Sequence, residues 1–299
     1  MKERKRTKKN KKGSIANFIL GILLIVGMGI MLYPTVSDWW NSMHASRAIA
    51  SYEEVVQNMD EEAKQQMMEE AKQYNASLAM GIHFKLTDEE YAEYEGLLDL
   101  TGTGIMGYIQ IPSIDVNLPI YHGTEEAVLQ VAIGHLAGSS LPVGGEGSHC
   151  IVSGHRGLPS ARLFTDLDKV REGDIFTMTV LGEVFTYQVD QIRIVLPHEV
   201  DELSIVSGMD YCTLVTCTPY GINSHRMLVR GHRIDNIDDI VIVVGAEAQR
   251  IPSYYVIPAV GIPLLFVSLV IMLAVSDRKK SRKTGEELLE EFKKDNESQ

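Results

Sequence analysis

Two long apolar runs constrain this chain more than any other feature of it. Residues 14–33 are almost wholly apolar, with Asn17 as the main exception, and a second run extends from Tyr254 to Val275. About 20 apolar residues is the length of a bilayer-spanning helix, and hydrocarbon admits a backbone only as helix or closed barrel. Eight of the first twelve residues are basic, and Arg278, Lys279, Lys280, Arg282 and Lys283 follow the second run. Such clusters stay on the cytoplasmic side. Both termini are therefore expected inside, with residues 35–250 outside. Tyr33-Pro34 and Trp39-Trp40 suit an interfacial anchor better than a signal-peptide cleavage site. Pro258 and Pro263 would weaken a soluble helix but are tolerated in a membrane one.

This divides the 299 residues into a basic tail (1–13), a span (14–34), a segment at 35–104, a folded domain at 105–250, a second span (254–275) and a C-terminal tail (276–299). Of 28 basic and 40 acidic residues, 15 and 8 lie in the two tails, which leaves 13 and 32 between them, a net charge of −19. An acidic external domain cannot neutralise phosphates, so nucleic acid is excluded as a partner. The basic tails suit anionic membrane lipid.

The segment from Asn41 to Leu78 has no Gly or Pro and is rich in helix formers; Ser37 or Asp38 is placed to cap it, and it reads as one long helix or a helix pair. Its methionines, Met59, Met67 and Met68, suggest a packing surface. A short helix is expected from Asp88 to Leu98. From Ile105 the pattern becomes β. Strands are expected at Gly107–Pro112, Val116–Tyr121, Gly147–Ser153, Ile175–Leu181, Val184–Val189 with a continuation at Ile192–Leu196, Tyr211–Thr218 and Arg226–Arg233, with a last one at Ile240–Val244. A helical stretch is expected at Val128–Ala137. Many short strands at close spacing imply a barrel or sandwich.

The three cysteines, Cys150, Cys212 and Cys217, give no disulfide framework and no zinc spacing. Cys212 and Cys217 differ by five positions and point to opposite faces of a strand. Cys150 lies in an apolar run and reads as core. A cysteine in a strand is usually a small buried hydrophobe. Cys217 differs, because it closes one strand while Arg226, nine positions on, opens the next, across Pro219 and Gly221. A thiol and a guanidinium held on adjacent strand ends are what attack on a carbonyl requires.

The run Thr213-Leu214-Val215-Thr216-Cys217 with Arg226 resembles the active-site signature of the sortases. Thr218-Pro219-Tyr220-Gly221-Ile222-Asn223 and Arg230-Gly231-His232-Arg233 look like its pilus-building class C subgroup. Gly107-Tyr108-Ile109-Gln110-Ile111-Pro112 resembles the opening of the sortase barrel, and Ser153-Gly154-His155-Arg156-Gly157 the sortase histidine motif. The resemblance implies a mainly β fold, a closed eight-stranded barrel with an N-terminal helical extension and two transmembrane helices. It selects His155 over His122, His149, His225 and His232. The implied activity is that of a cysteine transpeptidase with Cys217 as nucleophile, His155 as acid–base group and Arg226 as hydrogen-bond donor to the oxyanion or to the substrate backbone. Its partners would be surface or pilin proteins carrying Leu-Pro-x-Thr-Gly-like signals, cut between Thr and Gly, and an amine acceptor, a pilin lysine or a cell-wall peptide. Endopeptidase release to water uses the same residues, and a non-catalytic envelope anchor is the reading they argue against. No cofactor and no metal are implied. Asp166 and Asp168 read as solvated or capping carboxylates. The Asp-Pro-aromatic lid anchor common in class C is absent. Thr87-Asp88-Glu89-Glu90-Tyr91 is the nearest match and lacks the proline, so a more open site is expected.

Overall fold

The computed structural model describes residues 11–78 and 85–236, together with Pro263, Phe266 and Val267. Apart from those three positions, the expected second span lies outside the described residues, as do the strand at Ile240–Val244 and residues 79–84. The chain divides into a unit at Met1–Ala248 and a unit at Gln249–Gln299, and the described positions of the second, Pro263, Phe266 and Val267, are helical.

Helix α1 runs unbroken from Lys11 to Asn58, about 70 Å at 1.5 Å per residue. It is apolar and long enough to cross a membrane. Pro34 lies inside it. Ser37 and Asp38 therefore cap nothing, contrary to the sequence expectation. The backbone arriving at them is already helical, so no orphan amides await a cap. Past a break at Met59-Asp60, α2 (Glu61–Ser77) forms the second member of a helix pair. Its Met68 and Ala71 enter the core, and Met59 and Met67 pack against it. Asn75 holds Leu141 at two points: Oδ1 accepts from the Leu141 amide (2.7 Å) and Nδ2 donates to its carbonyl (3.1 Å).

Eight strands close into a barrel: β1 (Ile105–Ile111), β2 (Val116–His122), β3 (Ile133–His135), β4 (Ser148–Ser153), β5 (Ile175–Val180), β6 (Glu183–Val195), β7 (Asp210–Thr218) and β8 (His225–Ile234), in the order β1-β2-β3-β4-β7-β8-β6-β5. The pairs β2–β3 and β4–β7 are parallel and the rest antiparallel. The helix expected over Val128–Ala137 is confined to α4 (Glu126–Leu129). Beyond it β3 pairs with β2 on one side and β4 on the other, and those ladders outweigh local helix propensity. Strand β6 is continuous through the expected gap, with a bulge at Asp190.

Strand β1 is buried at all seven positions. Its inner side faces the core, while Ile49, Tyr52 and Val56 of α1 cover Ile105 and Tyr108. Tyr52 stitches helix to barrel, donating to the Met106 carbonyl (3.1 Å) and accepting from the Leu181 amide (2.8 Å). Burial pushes its phenol up to about 12, so it remains a neutral donor.

The Asp88–Leu98 segment is helix α3 (Asp88–Gly96), opened by a reciprocal capping box between Thr87 and Glu90. Tyr94 is fully buried and bonds both Nδ1 (2.9 Å) and the carbonyl (3.1 Å) of His135. Thr87–Tyr91 is thus a helix start docked on the barrel. Because Tyr94 and Leu98 belong to the core, this segment is not a free linker.

Candidate active site

Strands β4 and β7 pair in parallel with a constant offset of 62 residues, from Ser148 opposite Asp210 to Ser153 opposite Val215. The same offset brings His155 level with Cys217. Three bonds hold this alignment beyond the end of β4. The Gly154 amide donates to the Val215 carbonyl (3.0 Å), Thr216 Oγ1 to the Gly154 carbonyl (2.7 Å), and an Arg156 guanidinium nitrogen to Thr218 Oγ1 (3.1 Å). On the other side of β7, Cys217 lies directly opposite Arg226 of β8. His155, Cys217 and Arg226 therefore form one row across three chain segments, with neighbouring strands about 4.8 Å apart.

The row lies on the outer face of the barrel wall. Cys212 and Leu214 point into the core, so the odd-numbered positions Val215 and Cys217 point the other way. Below the row, Ile151, Leu203 and Leu228 form a small buried cluster on that face, with Val195 and Val215 partly buried against it. Beside it the β7–β8 turn exposes Tyr220 and Ile222.

Two glycines shape the histidine segment differently. A Cβ on Gly154 would come within 2.8 Å of the Phe164 ring, so its role is close packing. Gly157 needs its left-handed φ of 80°, and a Cβ there would meet Tyr220 at 2.9 Å. The chain returns at Phe164, whose amide donates to the His155 carbonyl (3.1 Å). His155 Nε2 is buried without a hydrogen bond; Glu126 Oε2 is its ionic neighbour at 3.6 Å. Sequence reasoning missed Glu126, which lies 29 positions upstream on a four-residue helix and carries no motif. The Arg226 Nη1 donates to the carbonyls of Asn223 (3.2 Å) and His225 (3.1 Å).

All three thiols are free. Cys217 is partly exposed, while Cys150 and Cys212 sit side by side in the core. Burial pushes the Cys212 thiol well above its ordinary range. The competing histidines have structural partners. His122 lies between the carbonyls of Gly104 and Leu97. His149 lies between the Ser204 carbonyl and Thr213 Oγ1, and burial lowers its pKa. His225 bonds Ser224, and His232 faces Asp190. Asp166 pairs with Arg162 and Lys169, and Asp168 with Arg156. Among the described residues no three His, Cys, Asp or Glu side chains are grouped to hold a metal.

A family model described as Sortase domain matches residues 109–234. Sortase A of Streptococcus agalactiae is 32% identical over 117 residues, 38% of this chain. The match spans about half of that relative's length, 47%. Among solved structures, sortase C1 of Streptococcus agalactiae is 54% identical, with a TM-score of 0.63 over 64% of this chain and 100% of that one. Sortase C of Streptococcus pneumoniae, whose structure was described in terms of catalysis and pilin substrate specificity, is 44% identical, with a TM-score of 0.57 over 64% of this chain and 97% of that one.

Proposed function

Because this chain belongs to the sortase family, we propose that it is a membrane-anchored cysteine transpeptidase acting on Leu-Pro-x-Thr-Gly-like sorting signals. The observation that carries this is the row of His155, Cys217 and Arg226 on the outer wall of the barrel, with Cys217 partly exposed.

The chemistry is acyl transfer. The Cys217 thiolate adds to the Thr carbonyl of the signal, and the tetrahedral oxyanion is met by the Arg226 guanidinium on the facing strand. Protonated His155 gives its proton to the departing glycine amine, and the C–N bond breaks to leave a thioester. His155 then takes a proton from an incoming amine, which attacks the thioester, forms the new amide and releases the thiolate. The scheme uses no cofactor. A pilin lysine is the acceptor suggested by the likeness to sortase C of Streptococcus pneumoniae. Helix α1 anchors the enzyme with its basic start in the cytoplasm and holds the site on the outer side of the membrane, within reach of exported substrates still tethered there.

The test is to incubate the purified full chain with a sorting-signal peptide, with and without a lysine-bearing acceptor, and to analyse protein and products by mass spectrometry. A thioester on Cys217 that passes to the amine is expected. Hydrolysed peptide alone, unaffected by acceptor, would make the enzyme an endopeptidase. No adduct at Cys217 would sink the reading.

A further inference from the structure

We infer that Asp38 and Asn41 of helix α1 clamp the loop that carries His155, so that the anchoring helix is part of the catalytic unit. The inference rests on the acid–base role of His155 proposed above.

Between His155 and Phe164 the chain leaves the barrel and returns. Its inner side is fixed by buried Ala161, Leu163 and Phe164. Its outer arc is held from outside. The Arg162 amide donates to Asp38 Oδ1 (2.7 Å), and Asn41 Nδ2 donates to the Ser160 carbonyl (2.8 Å). The two bonds bracket Ala161 and join segments 119 and 124 positions apart in sequence. Leu163, next in the chain, has a φ of 39°. A branched side chain holds such a conformation only where its surroundings enforce it. The clamp sits at a defined height on α1. Exposed apolar residues run from Ile19 through Trp39 and Trp40, and burial against the barrel begins at Ala45. Indole rings favour the lipid headgroup level. Asp38 and Asn41 flank the Trp pair, so the helix grips the histidine loop at the turn where it leaves the bilayer. This makes Asp38 and Asn41 positioning residues. They act through the loop backbone and touch no substrate.

The test uses the full chain in nanodiscs of phosphatidylcholine and phosphatidylglycerol. Hydrogen exchange is followed by mass spectrometry on peptides covering residues 156–165 and, for reference, 210–218. In the Asp38→Ala/Asn41→Ala double variant, exchange over 156–165 should rise about tenfold or more, with 210–218 unchanged. The kcat for peptide cleavage should fall roughly tenfold, with KM within about twofold. Asp38→Asn keeps the acceptor oxygen and should restore the Arg162 bond and most of the rate. Ser42→Ala, whose hydroxyl bonds the Trp39 carbonyl within the helix, should change nothing. If the double variant fails to fold, Asn41→Asp, which loses the donor but keeps the shape, is read in its place. Unchanged exchange overturns the clamp, and faster exchange with unchanged kcat overturns its positioning role. If the wild type cleaves no peptide, the proposed activity has failed, and exchange alone still decides the clamp.

Discussion

The paired residues of β7 and β8 include two thiols and two guanidiniums, and the two ends of that ladder treat them oppositely. At the mouth, Cys217 is partly exposed and faces Arg226, one nitrogen of which rests on turn carbonyls. Further down, Cys212 is sealed in the core beside Cys150. Arg230 is gripped by Asp190 through two bonds of 3.0 and 3.1 Å and lies over the Tyr211 ring. Under the proposed mechanism the same residue types serve chemistry at one end and architecture at the other. What separates them in the structure is position along the strand: the exposed thiol is the one where the ladder ends.

The sharpest break of this comparison is at the thiols. Cys217→Ala should abolish acyl-enzyme formation, because no other thiol is accessible. Cys212→Ala should keep activity and lose stability by about 1–2 kcal/mol, the cost of a small core cavity. A thiol reagent on the native protein should modify one cysteine, and all three after unfolding; native modification of Cys150 or Cys212, read by peptide mass spectrometry, would contradict the sealed core.

The arginines come next. Arg226→Lys keeps the charge but loses the planar fork, and kcat should fall by roughly 10²–10³. Arg230→Lys, four residues further along the same face, should cost roughly 1 kcal/mol of stability and keep most of the rate. Steady-state kinetics paired with thermal melts separates the two. A dead Arg230→Lys beside an active Arg226→Lys would move the oxyanion role down the strand.

Threonines repeat the contrast more weakly. Thr216→Val removes the bond to the Gly154 carbonyl that holds His155 level with Cys217. A loss of about 1–3 kcal/mol in stability and roughly tenfold in kcat is expected. Thr213→Val removes a bond to His149 lower in the sheet and should lower stability without the rate effect. Equal kcat losses in the two would show that the mouth has no special geometry to protect.

The parts of this site legible in the sequence are those set by local chain. Cys217 and Arg226 belong to one hairpin, whose short turn fixes their pairing. His155 was reachable only through its motif. Its alignment depends on a parallel ladder to a strand 62 residues on, and no local pattern encodes such a register. The misread Val128–Ala137 has the same origin, since three residues of β3 form a strand only because β2 and β4 flank them. Glu126 and the Asp38–Arg162 contact are likewise products of the fold. Sequence alone offers Ser37 or Asp38 as a cap, because short polar residues at a helix start usually serve as one. Inside a continuing helix Asp38 has no amide of its own to satisfy, and it bonds one from a distant loop.

The smallest expected effect concerns Asp210, at the far end of β7 from Cys217. Its carboxylate accepts from the Gly145 amide (2.8 Å) and the Tyr187 hydroxyl (3.0 Å), with the Ser148 hydroxyl at 3.3 Å. Burial raises its pKa above the ordinary 3.8, and these donors and Arg233 only partly oppose the shift. A carboxyl raised in the folded state holds its proton after the unfolded chain has released one. From about 3.8 up to the raised value the native state therefore binds more protons, and stability falls as pH rises through that window. Above it the difference is constant. Asp210→Asn cannot titrate and lacks this slope. Its amide also loses one acceptor, so its absolute stability is a separate matter, but its standing relative to wild type should improve between pH 3.5 and pH 7. Urea midpoints at the two pH values measure the change, and peptide cleavage at pH 7 should be unaffected. A variant that loses ground as pH rises would mean that the buried carboxylate is stabilised as an anion, and the far end of the strand would then be holding a charge as deliberately as the mouth does.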